Sequence, residues 1–281
     1  MTQLGMVIDT DSCFGCRACQ EACKVENNTP RGAFWMHVFR YEEGEYPDVD
    51  QGFMPRPCQH CSEPWCANVC PTGARFKREE DGIVLTDYDR CIGCRYCEVG
   101  CPYGVNYAQF QNAEKAQYGV PNDTPPGDGH WSVDQESDKV DEKTPWRNPV
   151  HDEPIAPRNN HASGPQPTGV MSKCTFCVHR QDSEDKQGTT ACAETCAADA
   201  IKFGDMDDPN SEPRKYLREN QGKSRFKLLE DRGTEPNIVY LGHEPSKEAR
   251  PIEDSDTFKD PEEAIEIEQH PPDSRETEVG Q

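Results

Sequence analysis

The sequence has no long apolar run and no recognisable export signal. Its longest stretch without a charged residue, Val99 to Ala113, is about 15 residues long and contains four amide side chains, whereas a membrane-spanning helix needs about 20 mostly apolar residues. The first nine residues carry no basic segment and no twin arginine, so we predict no signal peptide of its own. We expect a soluble chain or a membrane-associated peripheral subunit, on a side of the membrane that the sequence does not define.

Basic side chains are scarce. The chain has 30 Lys and Arg residues against 52 Asp and Glu residues, which gives a formal net charge of −22. A nucleic-acid binder needs a basic face, so this class of protein is excluded. An acidic surface of this kind suits a halophilic protein that stays hydrated at high salt, but an acidic mesophilic protein could have the same composition.

Hydrophobic residues are also few, at 33% of the chain, yet there are 16 cysteines. Because burial of so little apolar surface hardly offsets the entropy of the chain, a sequence like this is usually stabilised by disulfides or metal. Twelve cysteines lie before residue 110 and the other four lie between residues 172 and 204. The functional chemistry is therefore expected in these two regions.

The regions without cysteine divide the chain. Residues 110–170 contain nine prolines and ten acidic side chains, which predicts an acidic insertion without a packed core. Residues 244–281 carry 13 acidic and 4 basic side chains, which predicts a solvated, disordered tail. The folded segments are then 1–57, 58–109 and 171–243, and the last of these is expected to end in a short helix near Phe226 followed by a strand.

The cysteine motifs form internal repeats. Residues 9–23, "DTDSCFGCRACQEAC", align with residues 87–101, "DYDRCIGCRYCEVGC", at all four cysteines. A second repeat relates the cysteines of residues 58–70 to those of residues 174–196 if the inner gap differs in length. Repeated units of this size normally pack together and complete one another's core.

The cysteine spacing is typical of iron–sulfur ligands. Two groups read C-x2-C-x2-C-x3-C, one reads C-x2-C-x4-C-x3-C and one reads C-x2-C-x14-C-x3-C. In bacterial ferredoxins three closely spaced thiolates bind one cubane, and the fourth, followed by proline as at Pro71 and Pro102, binds its neighbour. Disulfides are typical of small exported domains, and zinc has little use for a third cysteine in the same turn. Sixteen thiolates therefore predict four 4Fe-4S clusters.

Chain order predicts which cysteines share a cluster. Only 20 residues separate Cys70 from Cys91, with two strand-like segments and a tight turn between them, so the second and third groups are expected to form one two-cluster unit. The first and fourth groups then form the other unit.

Exchanging the fourth ligand within each unit defines four sets of iron ligands. Quartet 1 is Cys13, Cys16, Cys19 and Cys196; quartet 2 is Cys23, Cys174, Cys177 and Cys192; quartet 3 is Cys58, Cys61, Cys66 and Cys101; quartet 4 is Cys70, Cys91, Cys94 and Cys97. The membership of quartet 2 is the least defined of the four, because the gap before Cys192 allows several arrangements and Lys24 and Ala197 replace the usual proline.

With these motifs the sequence resembles the four-cluster iron–sulfur subunits of molybdopterin oxidoreductases, of the dimethyl sulfoxide reductase and polysulfide reductase type. The resemblance lies in "CFGCRACQEACKVENN", "CQHCSEPWCANVCPTGA", "GIVLTDYDRCIGCRYCEVGCPYGV", "KCTFCVHR" and "FGDMDDPNS". It implies the ligand pairing given above. The expected fold is α+β, with two ferredoxin-like 4Fe-4S modules, one nested within the other.

The resemblance also implies a function. Such a subunit relays electrons between a quinol-oxidising membrane-anchor subunit and a molybdopterin catalytic subunit of an anaerobic respiratory reductase. No nucleophile, general base or phosphate loop stands out in this sequence, so we predict no catalytic residue. The acceptor stays open, since dimethyl sulfoxide, trimethylamine N-oxide, sulfur-compound, arsenate and nitrite systems share this subunit type. A stand-alone soluble polyferredoxin and a zinc-stabilised scaffold are the other two interpretations.

Overall fold

The computed structural model describes residues 2–27, 29, 33–109 and 169–252. The expected acidic insertion, except for its last two residues, and the expected tail from residue 253 onward lie outside the described residues. No helix in the described part of the chain is both long and apolar enough to cross a membrane.

The fold is α+β and is built from short elements. The strands are β1 (Leu4–Asp9), β2 (His37–Glu45), β3 (Asp48–Arg56), β4 (Arg75–Lys77), β5 (Val84–Thr86), β6 (Tyr107–Gln109), β7 (Val170–Ser172), β8 (Ile201–Asp205), β9 (Arg225–Phe226), β10 (Ile238–Leu241) and β11 (Arg250–Pro251). The helices are α1 (Ala18–Asn27), α2 (Trp65–Asn68), α3 (Tyr96–Val99), α4 (Val178–Gln181), α5 (Ala191–Glu194) and α6 (Glu212–Glu219), with a 3-10 turn at Glu230–Arg232.

The largest sheet joins the beginning of the chain to its later part. Its strand order is β8-β1-β10-β9, with β1 antiparallel to β8 and parallel to β10. All six residues of β1 are buried, as expected for an apolar strand in the middle of a sheet. Helix α1 packs against α5 beside this sheet. The first and last cysteine groups are therefore neighbours in space.

The middle of the chain forms smaller sheets. Strands β4 and β5 make an antiparallel hairpin, which confirms the two strands and tight turn expected between Cys70 and Cys91. Strands β2 and β3 form a longer hairpin extended by β11. Strands β6 and β7 pair antiparallel on either side of the expected insertion.

The prediction of a short helix near Phe226 is wrong. Phe226 lies in β9, which pairs with β10, and its ring stacks on Tyr240 with 5.3 Å between centroids. Burial of the Phe226 ring against this neighbouring strand outweighs a weak local helical pattern. The strand expected at Ile238–Leu241 is confirmed as β10.

The carboxylate of Asp9 is a buried polar group at the end of β1. Its side chain is completely buried and accepts hydrogen bonds from Tyr216 Oη at 2.7 Å, from Lys223 Nζ and from the backbone N–H groups of Asp11 and Ser12. Burial alone would raise the pKa of Asp9, but the hydrogen bonds from Lys223 and Tyr216 outweigh it and lower the pKa. The ionised form is therefore the one that the fold stabilises.

Replacing Asp9 with Asn is expected to lower the free energy of unfolding by about 2 kcal/mol at neutral pH, because hydrogen bonds to a charged acceptor are lost. Since the folded pKa lies below the unfolded value of about 3.9, this contribution is present above about pH 4 and is lost as the pH falls through the folded pKa. Because unfolding of a cluster-loaded chain is expected to be irreversible, the unfolding rate, followed by circular dichroism from neutral to acidic pH, measures it. The half-buried repeat equivalent, Asp87→Asn, is the control; an equal loss there would contradict the role of burial.

Candidate iron–sulfur site

The two ferredoxin-like loops share a backbone conformation. Gly15 and Gly93 have φ of 71° and 65°, and Arg17 and Arg95 have φ of 60° and 63°, so the sequence repeat is also a repeat of left-handed positions. A Cβ at Gly15 would lie 2.2 Å from the ring of Phe53. Glycine at this position thus lets the cysteine loop turn tightly against the β2–β3 hairpin.

The structure brings the four thiols of quartet 1 together. Burial, followed by the negative charges of the other three members, raises the pKa of Cys19 to about 12. Cys196 reaches this site because β8, which follows it, pairs with β1. The group includes one exposed cysteine, Cys16.

Quartet 2 is the most deeply buried set. Burial, followed by the charges of Cys174, Cys177 and Cys192, raises the pKa of Cys23 well above its usual value. All four members are buried. The sequence defined the membership of this quartet least clearly, and the structure places its four cysteines side by side.

The other two sets converge in the same way. Burial, with the charges of the other members of quartet 3, raises the pKa of Cys61 to about 12. In quartet 4, burial and the charges of Cys91, Cys70 and Cys94 raise the pKa of Cys97, while the positive charge of Arg75 opposes the shift. Each quartet thus combines three cysteines of one group with one cysteine of another.

The surroundings of the sulfurs fit iron–sulfur clusters. In every quartet a backbone N–H group donates to at least one cysteine Sγ: His60 to Cys58 at 3.5 Å, Arg75 to Cys70 at 3.4 Å, Met171 to Cys91 at 3.5 Å, Phe176 to Cys174 at 3.5 Å and Ala200 to Cys196 at 3.3 Å. Such bonds stabilise thiolate ligands. In the described part of the chain, no three His, Cys, Asp or Glu side chains are placed to hold a single metal ion. A 4Fe-4S cluster spreads its four thiolates over four irons, so its ligands need not close on one ion.

The quartets follow one another in space. Burial is the largest cause that raises the pKa of Cys174 in quartet 2, and the negative charge of Cys58 in quartet 3 is the second. The negative charge of Cys19 in quartet 1 likewise raises the pKa of Cys192 in quartet 2. Arg75 interacts with cysteines of both quartet 4 and quartet 3. The resulting order is 4, 3, 2, 1, and the exposed cysteines, Cys94 and Cys16, belong to the two end quartets.

The surface beside quartet 4 is apolar and exposed. Ile92, Tyr96 and Val99 are 65%, 60% and 85% exposed, and Trp65 on the adjacent α2 and Val69 directly after it are also exposed. Contiguous apolar surface of this kind is typical of protein interfaces.

The surface beside quartet 1 is an open cleft of about 450 Å³. Its wall includes Cys13, Phe14 and three carboxylates, Asp11, Glu43 and Asp50. The two ends of the row therefore differ in chemistry.

Sequence reasoning missed two buried cations among the cysteines. Arg75 and Lys173 are 3% and 2% exposed. The only signal in the sequence is their position, since Arg75 follows "CPTGA" directly and Lys173 directly precedes Cys174. His60 is also completely buried: it stacks on Phe176 at 3.7 Å, its Nδ1 accepts from the Val84 N–H, and burial lowers its pKa.

Comparisons with known proteins agree with this chemistry. Residues 49–122 match the family described as "4Fe-4S dicluster domain", and residues 4–25 match "4Fe-4S binding domain". The chain is 36% identical over 260 residues to a putative dimethyl sulfoxide reductase iron–sulfur subunit of Halobacterium salinarum, covering 88% of this chain and 81% of that protein.

Two further relatives are subunits of other reductases. The arsenate respiratory reductase iron–sulfur subunit of a Shewanella species is 35% identical over 245 residues, covering 85% of this chain and 96% of that protein. A selenate reductase subunit of Mesobacillus selenatarsenatis is 36% identical over 236 residues, covering 84% of this chain and 70% of that protein.

Proposed function

Because the chain belongs to the family of iron–sulfur subunits of molybdopterin oxidoreductases, with 4Fe-4S ferredoxin domains, we propose that it carries four 4Fe-4S clusters and relays electrons between two partner subunits. One partner is a molybdopterin catalytic subunit and the other is a quinol-oxidising membrane-anchor subunit. The chain itself is then a peripheral, non-catalytic component of the complex.

The proposed ligands are the sixteen cysteines of quartets 1 to 4. The observation that carries the proposal is the convergence of each quartet from two different cysteine groups. It is the crossed arrangement of a two-cluster ferredoxin, made twice. The N–H groups that donate to sulfur support the same assignment.

We also propose that the two modules are nested. The outer module combines residues 1–57 with 171–243, and the inner module is 58–109. Pairing of β1 with β8 supports the outer module, and the β4–β5 hairpin between two cysteine groups supports the inner one. The insertion at 110–170 and the acidic tail at 244–281 stay predictions.

The chain's own residues have three tasks in this function. When bound, the clusters supply one-electron oxidation and reduction. The cysteines hold them, backbone N–H groups stabilise the thiolate charge, and the burial of quartet 2 limits access of water to the centre of the row. The exposed cysteine at each end, with the apolar surface beside quartet 4 and exposed Phe14 beside quartet 1, supports contact with a partner there.

For the terminal reaction we propose an anaerobic respiratory reductase of the dimethyl sulfoxide, trimethylamine N-oxide or sulfur-compound type. The similarity to the Halobacterium protein over 88% of the chain supports it. An arsenate-linked complex is the alternative that the Shewanella relative favours, and a nitrite-linked complex stays a further alternative. The excess of acidic side chains and the Halobacterium relative support a halophilic origin.

The first test is anaerobic isolation of the chain in its native complex. We expect about 16 irons per chain, brown absorption that bleaches with dithionite, and co-purification with a large molybdenum subunit. An iron-loaded chain that runs alone as a stable monomer would favour the polyferredoxin. A colourless chain that contains zinc instead of iron would contradict the proposal and favour the scaffold.

A further inference from the structure

Arg75 lies between two proposed cluster sites. Its guanidinium Nη2 donates to Cys97 Sγ at 3.3 Å in quartet 4, and its Nη1 donates to Asn106 Oδ1 at 2.8 Å. Burial alone would lower the pKa of Arg75, but the negative charges of Cys97, Cys66 and Cys58 raise it. The guanidinium is thus positioned by Asn106 and interacts electrostatically with quartets 4 and 3.

Lys173 has a similar place at the next gap. Its Nζ donates to the carbonyl oxygens of Val84 and of Cys174, the latter at 2.9 Å. Burial raises the pKa of Cys66 in quartet 3, and the positive charges of Arg75 and Lys173 oppose this rise. Lys173 therefore lies between quartets 3 and 2.

Within the described residues, neither cation is neutralised by an acidic side chain. Among the described residues, their hydrogen-bond partners are neutral oxygens and one cysteine sulfur, and neither forms an ion pair with a carboxylate. A buried charge without a counter-charge is costly. The negative charge that compensates it must come from the thiolates and what they bind.

The cation beside quartet 2 differs from these two. Arg180 is buried and interacts with Cys177 of quartet 2, but it forms ion pairs with Glu26 and Glu194, each at 2.6 Å. Its charge is therefore balanced by carboxylates. Within the described ranges, the buried cations that lack a carboxylate partner lie beside quartets 4 and 3.

We propose that Arg75 and Lys173 are tuning residues that raise the reduction potentials of the clusters at quartets 4 and 3. This inference rests on the proposed function. Uptake of one electron, with no proton, takes a cluster and its four thiolates from a net charge of about −2 to about −3. A buried cation beside the site stabilises the more negative state, and screening by water is weak there.

The experiment is a redox titration of the native complex with dithionite, followed by electron paramagnetic resonance. Arg75→Gln is expected to reduce the one-electron reduction constant of the quartet 4 cluster about tenfold, a fall of about 59 mV in midpoint potential. Lys173→Met is expected to act in the same direction at quartet 3. The quartet 4 signal is identified by its loss in Cys91→Ala.

Two variants test whether charge is the cause. Arg75→Lys keeps the charge and is expected to keep most of the potential. Arg95→Gln removes a charge from the loop between Cys94 and Cys97, but Arg95 is 55% exposed and paired with Glu98 at 2.7 Å, so we expect a much smaller shift.

The outcomes separate this inference from the proposed function. A wild-type chain without clusters contradicts the proposed function. A loaded Arg75→Gln variant with unchanged potentials, or an equal shift in Arg95→Gln or Arg75→Lys, overturns the inference. If Arg75→Gln fails to load the quartet 4 cluster, loading in Arg75→Lys supports charge compensation, whereas failure of both variants overturns it.

Discussion

Replacing Cys23 and Cys174 together with alanine is expected to remove one cluster, about four irons per chain, and no more than either substitution removes alone. Both thiols belong to quartet 2, so the second substitution acts on a site already lost. Replacing Cys23 and Cys13 together is expected to remove two clusters, about eight irons per chain, because these neighbours in sequence belong to different quartets. Iron and acid-labile sulfide per chain after anaerobic reconstitution measure the difference.

The two double variants are matched controls for each other. Each removes two thiols and each contains Cys23→Ala, so general damage to the fold affects them alike. The substitution Thr175→Val, in the buried turn between Cys174 and Cys177, removes no thiol and is expected to keep all four clusters. Equal iron loss in the two double variants would contradict the crossed arrangement.

The second large effect is expected at Trp35. This side chain is 1% exposed, and its indole Nε1 donates to Ser172 Oγ at 3.1 Å. It packs in the core that contains Cys23 and Cys174. Trp35→Ala is expected to destabilise the chain by about 3–5 kcal/mol, because a large cavity opens beside the most buried quartet.

Unfolding of a chain with bound clusters is expected to be irreversible, so the measurement is kinetic. For the loaded Trp35→Ala chain, we expect a faster unfolding rate and cluster bleaching at a lower temperature than for the unchanged chain. Trp65→Ala is the matched control, since Trp65 is 43% exposed and its loss is expected to cost about 1 kcal/mol or less. Equal effects of the two substitutions would contradict the role assigned to burial.

Some features of this protein follow from residues that are close together in the sequence, and others depend on contacts between distant segments. Three cysteines within one loop, with glycine at a left-handed position, are a local pattern, and local patterns can be recognised from the order of residues. The α+β fold and the relationship to iron–sulfur subunits of molybdopterin oxidoreductases were predicted in this way and are confirmed. The strands β4, β5 and β10 were also predicted, because each is a short strand-like segment next to a turn.

The error near Phe226 has a long-range cause. The residues around it carry a weak helical pattern, but Phe226 packs on Tyr240, and pairing with β10 decides its conformation. The pairing of β2 with β3 was not predicted either. The residues of this hairpin carry many charges, and its place in the fold depends partly on contact of Phe53 with the loop at Gly15.

By itself, the sequence determined the ligand chemistry of this protein, because cysteine spacing along one chain limits which metal centres can be bound. Only the tertiary structure decided how Cys196 reaches the first cysteine loop, through the pairing of β1 with β8 across most of the chain. In the part of the chain that the structure describes, it also decided that Arg75 and Lys173 are buried without carboxylate partners while Arg180 has two. Burial and charge pairing depend on which distant segments meet, and no local pattern of residues specifies that.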